Sequence, residues 1–170
     1  MPLVRRRDFV TGATLSLAFA AACRPRSEES TSESTSQTTP KSADAMGPWL
    51  AAATLAARLD DVKAGKVAVL YMGPDTLFAQ GHVPGARKVG EAGTDEGLRA
   101  LSAELARIPP ETEIVLYCGC CPVRSCPNVR PASAALRALG RANAHVLDLP
   151  TRFATDWANK GYPVERGVTR

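Results

Sequence analysis

Two short, unbroken apolar runs, Val67–Tyr71 and the stretch that ends Ile114-Val115-Leu116-Tyr117, set the limits on what this chain can fold into. A strand with one wet face alternates apolar and polar residues. A strand that is apolar at successive positions is covered on both faces, as happens in a parallel sheet sandwiched between helices. The segments around these runs carry helical spacing. Thr94 caps a helix whose apolar face is Leu98, Leu101, Leu105 and Ile108, and Pro109-Pro110 stops it. Asn128 is placed to cap a second helix, with Pro131 in its first turn, Val129, Ala132, Leu136 and Leu139 on one face and Gly140 beyond its end. Residues 48–61 predict a helix carrying Leu55 and Leu59 with Val62 just beyond, 86–89 a short strand, 145–147 another strand and 152–160 a last helix. The expected architecture is α/β: three layers, a central parallel sheet of four to five strands with helices on both faces.

The segment ahead of this pattern has a different character. Arg5, Arg6 and Arg7 precede Asp8 and Phe9, and an apolar run from Val10 ends in Ala20-Ala21-Ala22-Cys23. A basic start, a short apolar stretch and small residues at its end make an export signal, here residues 1–22. The run is shorter than the 20 or so apolar residues that span a bilayer. Arg6-Arg7-Asp8-Phe9-Val10 resembles the twin-arginine signal of bacteria, and Ala22-Cys23 resembles a lipoprotein cleavage site. The expectation is a periplasmic or cell-surface protein anchored to a membrane by lipid on Cys23; a plain cut leaving a soluble product is the alternative. Residues 23–46 are rich in Ser, Thr and Glu and lack the apolar side chains needed to offset the entropy of ordering, so they are expected to act as a tether. The folded domain is expected over 47–170.

The net charge is +4, of which the Arg5–Asp8 cluster supplies +2. No basic face remains of the sort nucleic acid requires.

Four of the five cysteines fall between positions 118 and 126. Cys118 stands where the second apolar strand gives way to a loop leading into a helix. In parallel sheets that edge is where ligands bind. Loop amides and the helix start stabilise anions there and favour a thiolate over a thiol. Cys118 is therefore the candidate nucleophile. Gly119, Cys120 and Cys121 are the loop residues that would hold an anionic substrate, with Arg124 and Arg130 adding positive charge.

The residues also resemble a known family. Gly81-His82-Val83-Pro84-Gly85-Ala86 is similar to the GH[IV]PGA turn of rhodanese-like domains, and Ile114 to Cys118 to the strand that delivers their active cysteine. Ala134-Ala135-Leu136-Arg137-Ala138-Leu139-Gly140, then Val146-Leu147-Asp148, Trp157 and Gly161-Tyr162-Pro163-Val164 follow in the same register. The resemblance implies a sulfurtransferase without a cofactor. Its cysteine, here Cys118, would take a sulfane sulfur from a small anionic donor such as thiosulfate, hold it as a persulfide and pass it to a thiol or cyanide. The sequence departs from the family at three places. Tyr71-Met72-Gly73 stands where Asp-x-Arg is usual, Leu149-Pro150-Thr151 replaces Gly-Gly, and the loop after Cys118 is about five residues longer.

That longer loop leaves several readings open. Cys126 could pair with Cys120 or Cys121 in a disulfide, or act as a resolving thiol for sulfur-loaded Cys118. A metal site is not expected. Paired zinc ligands favour two to four intervening residues, whereas Cys118 and Cys120 have one, Cys120 and Cys121 none, and no His lies near in sequence. Cys118 and Arg124 satisfy the Cys-x5-Arg spacing of phosphatases, although Pro122 removes one amide from any phosphate cradle. A non-catalytic redox or binding module is the remaining class. His82 is expected to order its turn, and Trp49 and Trp157 to pack in the core.

Overall fold

The structure, a computed structural model, describes residues 46–167. The export signal, Cys23 and the tether lie outside the described residues, apart from Met46. Five strands form one sheet: β1 (Trp49–Ala51), β2 (Val67–Tyr71), β3 (Arg87–Lys88), β4 (Glu113–Tyr117) and β5 (Ala144–Asp148). Their order is β1-β5-β4-β2-β3 and every pairing is parallel. The helices are α1 (Ala52–Ala56), α2 (Leu59–Lys63), α3 (Asp75–Gln80), α4 (Asp95–Leu105), α5 (Val129–Ala138) and α6 (Phe153–Asp156).

Strand alternation sorts the interior into two cores. Ala68, Leu70, Ile114, Leu116 and Val146 face Leu101, Leu105, Ala132 and Leu136 of α4 and α5. Val67, Val69, Tyr71, Val115, Tyr117 and Leu147 face the other way, onto Leu55, Leu59, Phe78 and Trp157. The expected three layers are thus present, and β4 is central, paired on one side with β2 and on the other with β5. By the same alternation Cys118, one residue past β4, belongs to the α4–α5 side.

Several local expectations hold. The Thr94 hydroxyl accepts the Gly97 N–H at 3.0 Å and caps α4. Gly140 takes φ +68° just past α5, where a side chain would be strained. Trp157 is fully buried, and its Nε1 donates to the Pro163 carbonyl. His82 is buried against Phe78, its Nδ1–H donating to the Phe78 carbonyl at 2.8 Å, while its backbone pairs with Glu165 across a single antiparallel bridge.

Three expectations are corrected, and one helix is new. Residues 48–61 are not one helix: Trp49–Ala51 form an edge strand on β5 before α1 and α2 begin. Pairing of Trp49 and Leu50 with Val146 and Leu147 satisfies the open edge of β5, a gain that helical periodicity cannot report. The last helix breaks at Trp157, whose backbone (φ −125°, ψ −68°) turns to bury the indole. Leu139 ends α5 largely exposed rather than on its buried face. The six-residue α3, with only Phe78 buried, is too short for its period to show in sequence. Among the described residues no helix is long and apolar enough to cross a membrane.

Candidate active site

The loop leaves β4 at Cys118 and turns at once, because Gly119 takes φ +78°. That conformation favours glycine, and here space does too: a Cβ on Gly119 would lie 2.8 Å from the Cβ of Phe153. The Phe153 N–H donates to the Gly119 carbonyl, which ties α6 to the loop. Beside this contact opens a cleft of about 370 Å³. Cys118, Gly119 and Cys120 form part of its wall, Tyr71 and Phe153 supply apolar surface, and Arg152 and Arg166 bring positive charge.

The sulfur atoms of the loop are brought together. Cys118 Sγ lies 3.0 Å from Cys120 Sγ, and Cys120 Sγ lies 3.3 Å from Cys121 Sγ. A 3-10 turn at Val123–Ser125 then returns the chain to the site, its Val123 N–H donating to the Leu149 carbonyl. Cys126 thereby enters the same core as Cys118. The Sγ atoms of Cys118, Cys120 and Cys126 all lie within 4.8 Å of one another. No disulfide joins the four loop cysteines in this structure. Cys126 reaches Cys118 from eight positions away, outside the reach of paired-ligand spacing in the sequence.

The charge in this cluster rests on Cys126. Its sulfur accepts a hydrogen bond from the Cys118 thiol and further ones from the amides of Val129 and Asn128, which together bring it down to about 5. Cys118 moves the opposite way, raised because it donates to Cys126 and because it is buried. The two thiols titrate as a pair, with burial and this contact favouring the neutral form of Cys118. Cys121 is pushed up to about 12 by burial and by its thiol neighbours.

Asn128, expected as a helix cap, is used differently. It precedes α5, yet its side chain makes no cap bond. Instead Oδ1 accepts the Gly93 N–H at 2.8 Å, which leaves Nδ2 to donate toward Cys118 Sγ at 3.6 Å. Sequence reasoning assigned this residue to the helix because Asn before a helical segment is a cap signal, and nothing local points to a cysteine ten positions earlier. Arg152 and Arg166 were also missed, since neither lies near the cysteines in sequence.

Arg124 and Arg130 do not line the cleft. The Arg124 guanidinium lies 4.3 Å above the Trp49 ring centroid and 3.8 Å from Asp148, stacked and paired away from the residues that line the cleft. Arg130 is exposed on the first turn of α5. With Arg124 so engaged, the Cys-x5-Arg spacing builds no phosphate cradle over Cys118.

A parallel sheet between two helical layers, with a cysteine at the C-terminal end of its central strand where a cleft opens, defines an α/β protein built around a loop thiol. The sequence matches the rhodanese-like domain family over residues 51–149, more than half of the chain, and the protein belongs to that family. No match was found among curated proteins. Solved structures share the fold. A Bacillus halodurans protein aligns with a TM-score of 0.53 at 19% identity, covering 70% of this chain and 77% of its own. A Rhodopseudomonas palustris protein of unknown function, described as a possible tyrosine phosphatase, aligns with a TM-score of 0.51 at 17% identity over 72% of this chain and 88% of its own. A hercynine complex of an EanB variant gives 0.51 at 23% identity over 74% of this chain, but this corresponds to only 29% of EanB.

Proposed function

We propose that the domain is a sulfurtransferase that carries sulfane sulfur as a persulfide on Cys118. One observation carries this reading: Cys118, at the end of the central strand, lines a cleft together with two arginines, Arg152 and Arg166. The donor is a small anion of the thiosulfate class, and the acceptor is a thiol or cyanide. No cofactor takes part.

Chemistry follows from the paired thiols. Cys118 Sγ attacks the outer sulfur of the donor. The donor's S–S bond breaks, and sulfite leaves with the bonding pair. The Cys118 proton passes to the Cys126 thiolate, so that charge does not accumulate on the buried nucleophile. Arg152 and Arg166 offset the charge of the departing sulfite. The acceptor then attacks the outer sulfur of the persulfide, Cys118 leaves as thiolate, and the proton returns from Cys126. Two half-reactions give ping-pong kinetics. Ahead of this domain, residues 1–22 are read as the export signal and Cys23 as the point of lipid attachment, placing the reaction outside the cytoplasm.

The test is incubation of reduced protein with thiosulfate, followed by intact mass and by sulfur transfer to cyanide. A gain of one sulfur on Cys118 is expected. A well-folded, reduced protein that takes up no sulfur from several donors would favour a non-catalytic binding or redox role.

A further inference from the structure

The sulfur triangle has a use that sulfur transfer does not require. Transfer needs one nucleophile and a proton acceptor, yet three sulfurs converge. Cys118 and Cys126 are buried, and Cys120 opens to the cleft, which gives the cluster an entry path. Among the described residues the cluster holds only sulfur donors, with no carboxylate or imidazole. Cys121 touches Cys120 but does not come within the same reach of all three.

We propose that Cys118, Cys120 and Cys126 form a three-coordinate site for a soft, thiophilic metal ion, with copper(I) as the ion that this donor set favours. All-sulfur ligation selects copper(I), zinc or iron–sulfur clusters. Iron–sulfur clusters and structural zinc take four protein ligands, and this triangle offers three. Metal–sulfur bonds of about 2.3 Å in a trigonal plane place the sulfurs about 4 Å apart. The present triangle, with its longest side under 4.8 Å, reaches that geometry once Cys118 and Cys120 open from 3.0 Å. Cys120 is only partly buried and lines the cleft, so it is the ligand with room to move.

The surroundings also suit bound thiolates. Asn128 Nδ2 donates toward Cys118 Sγ at 3.6 Å. Such donors orient sulfur ligands and offset their charge, the usual part of an outer shell around a metal. The ion displaces a thiol proton from each ligand that carries one, releases it to solvent and changes no oxidation state.

The experiment uses reduced full-length protein without any sulfur donor, loaded anaerobically with copper(I). Retention is measured against a bathocuproine chelator, and X-ray absorption counts the sulfur ligands. One ion per chain with three sulfurs is expected. Cys126→Ser and the less buried Cys120→Ser should each fall to two sulfurs and lose at least about tenfold in affinity. Cys121→Ser should keep all three. Two-sulfur coordination in the wild type, loss on Cys121→Ser in place of Cys126→Ser, or no retention against the chelator would overturn the site. Because no sulfur donor is present, failure of the sulfurtransferase reading would leave this result standing, and the reverse also holds.

Discussion

Asn128 holds two parts of the molecule with one side chain: its carbonyl oxygen accepts the Gly93 N–H at 2.8 Å, and its amide nitrogen lies 3.6 Å from the Cys118 sulfur. The first contact fixes the side chain, so the second always presents a donor to the thiol. Asn128→Ala should therefore cost about 1–2 kcal/mol of stability through the unpaired amide at Gly93. Asn128→Asp is the sharper variant. It keeps an acceptor for Gly93 but sets a negative charge beside Cys118, so alkylation of Cys118 by iodoacetamide should slow at neutral pH. An unchanged alkylation rate would show that the amide does not act on the thiol.

Cys118→Ser should abolish sulfur uptake and leave the circular dichroism spectrum unchanged, since the two side chains have nearly the same size. Sulfur recovered on another cysteine of this variant would move the nucleophile elsewhere in the cluster.

Gly119→Ala combines two penalties. A non-glycine residue at φ +78° costs about 1–2 kcal/mol, and the new methyl group would press on Phe153. Melting temperature and persulfide formation should fall together, because the same turn shapes the cleft wall.

Arginine roles separate by kinetics. Arg152→Ala should raise the thiosulfate KM several-fold, with a smaller effect on kcat, if it binds the donor anion before the transition state. Arg124→Ala should leave KM unmoved and lower stability slightly, since its guanidinium stacks on Trp49. The opposite pattern would return substrate binding to Arg124.

A fifth prediction concerns acid. Arg58 grips Glu113 with two hydrogen bonds, at 3.0 and 2.6 Å, and holds its carboxyl below the usual range. A lowered folded-state value stabilises the protein above the unfolded value of about 4.3 and loses that contribution as pH falls through the lowered one. The pair is partly exposed, so about 1 kcal/mol is at stake. The difference in melting temperature between wild type and Glu113→Gln should be largest near neutrality and vanish in strong acid.

The sequence by itself determined the sheet and the position of its reactive edge. Val67–Tyr71 and Glu113–Tyr117 are apolar enough to require cover on both faces, and Cys118 follows the second run directly. Capping at Thr94 and the stop at Gly140 were equally legible, because each acts within a few residues of chain. The tertiary structure alone decided the edge strand at Trp49, since its reason is an unpaired edge on β5 nearly a hundred residues away. It also decided which side chains surround Cys118. Spacing pointed to Arg124, but a ring at Trp49 and a carboxylate at Asp148 claim that guanidinium, and Arg152 and Arg166 line the cleft instead. Cys126 was legible as a possible partner thiol for Cys118, but the 3-10 turn at Val123–Ser125 is what folds it back to the site. Local pattern reports the interactions a residue makes with its own segment; a site made from several segments depends on contacts whose partners only the fold selects.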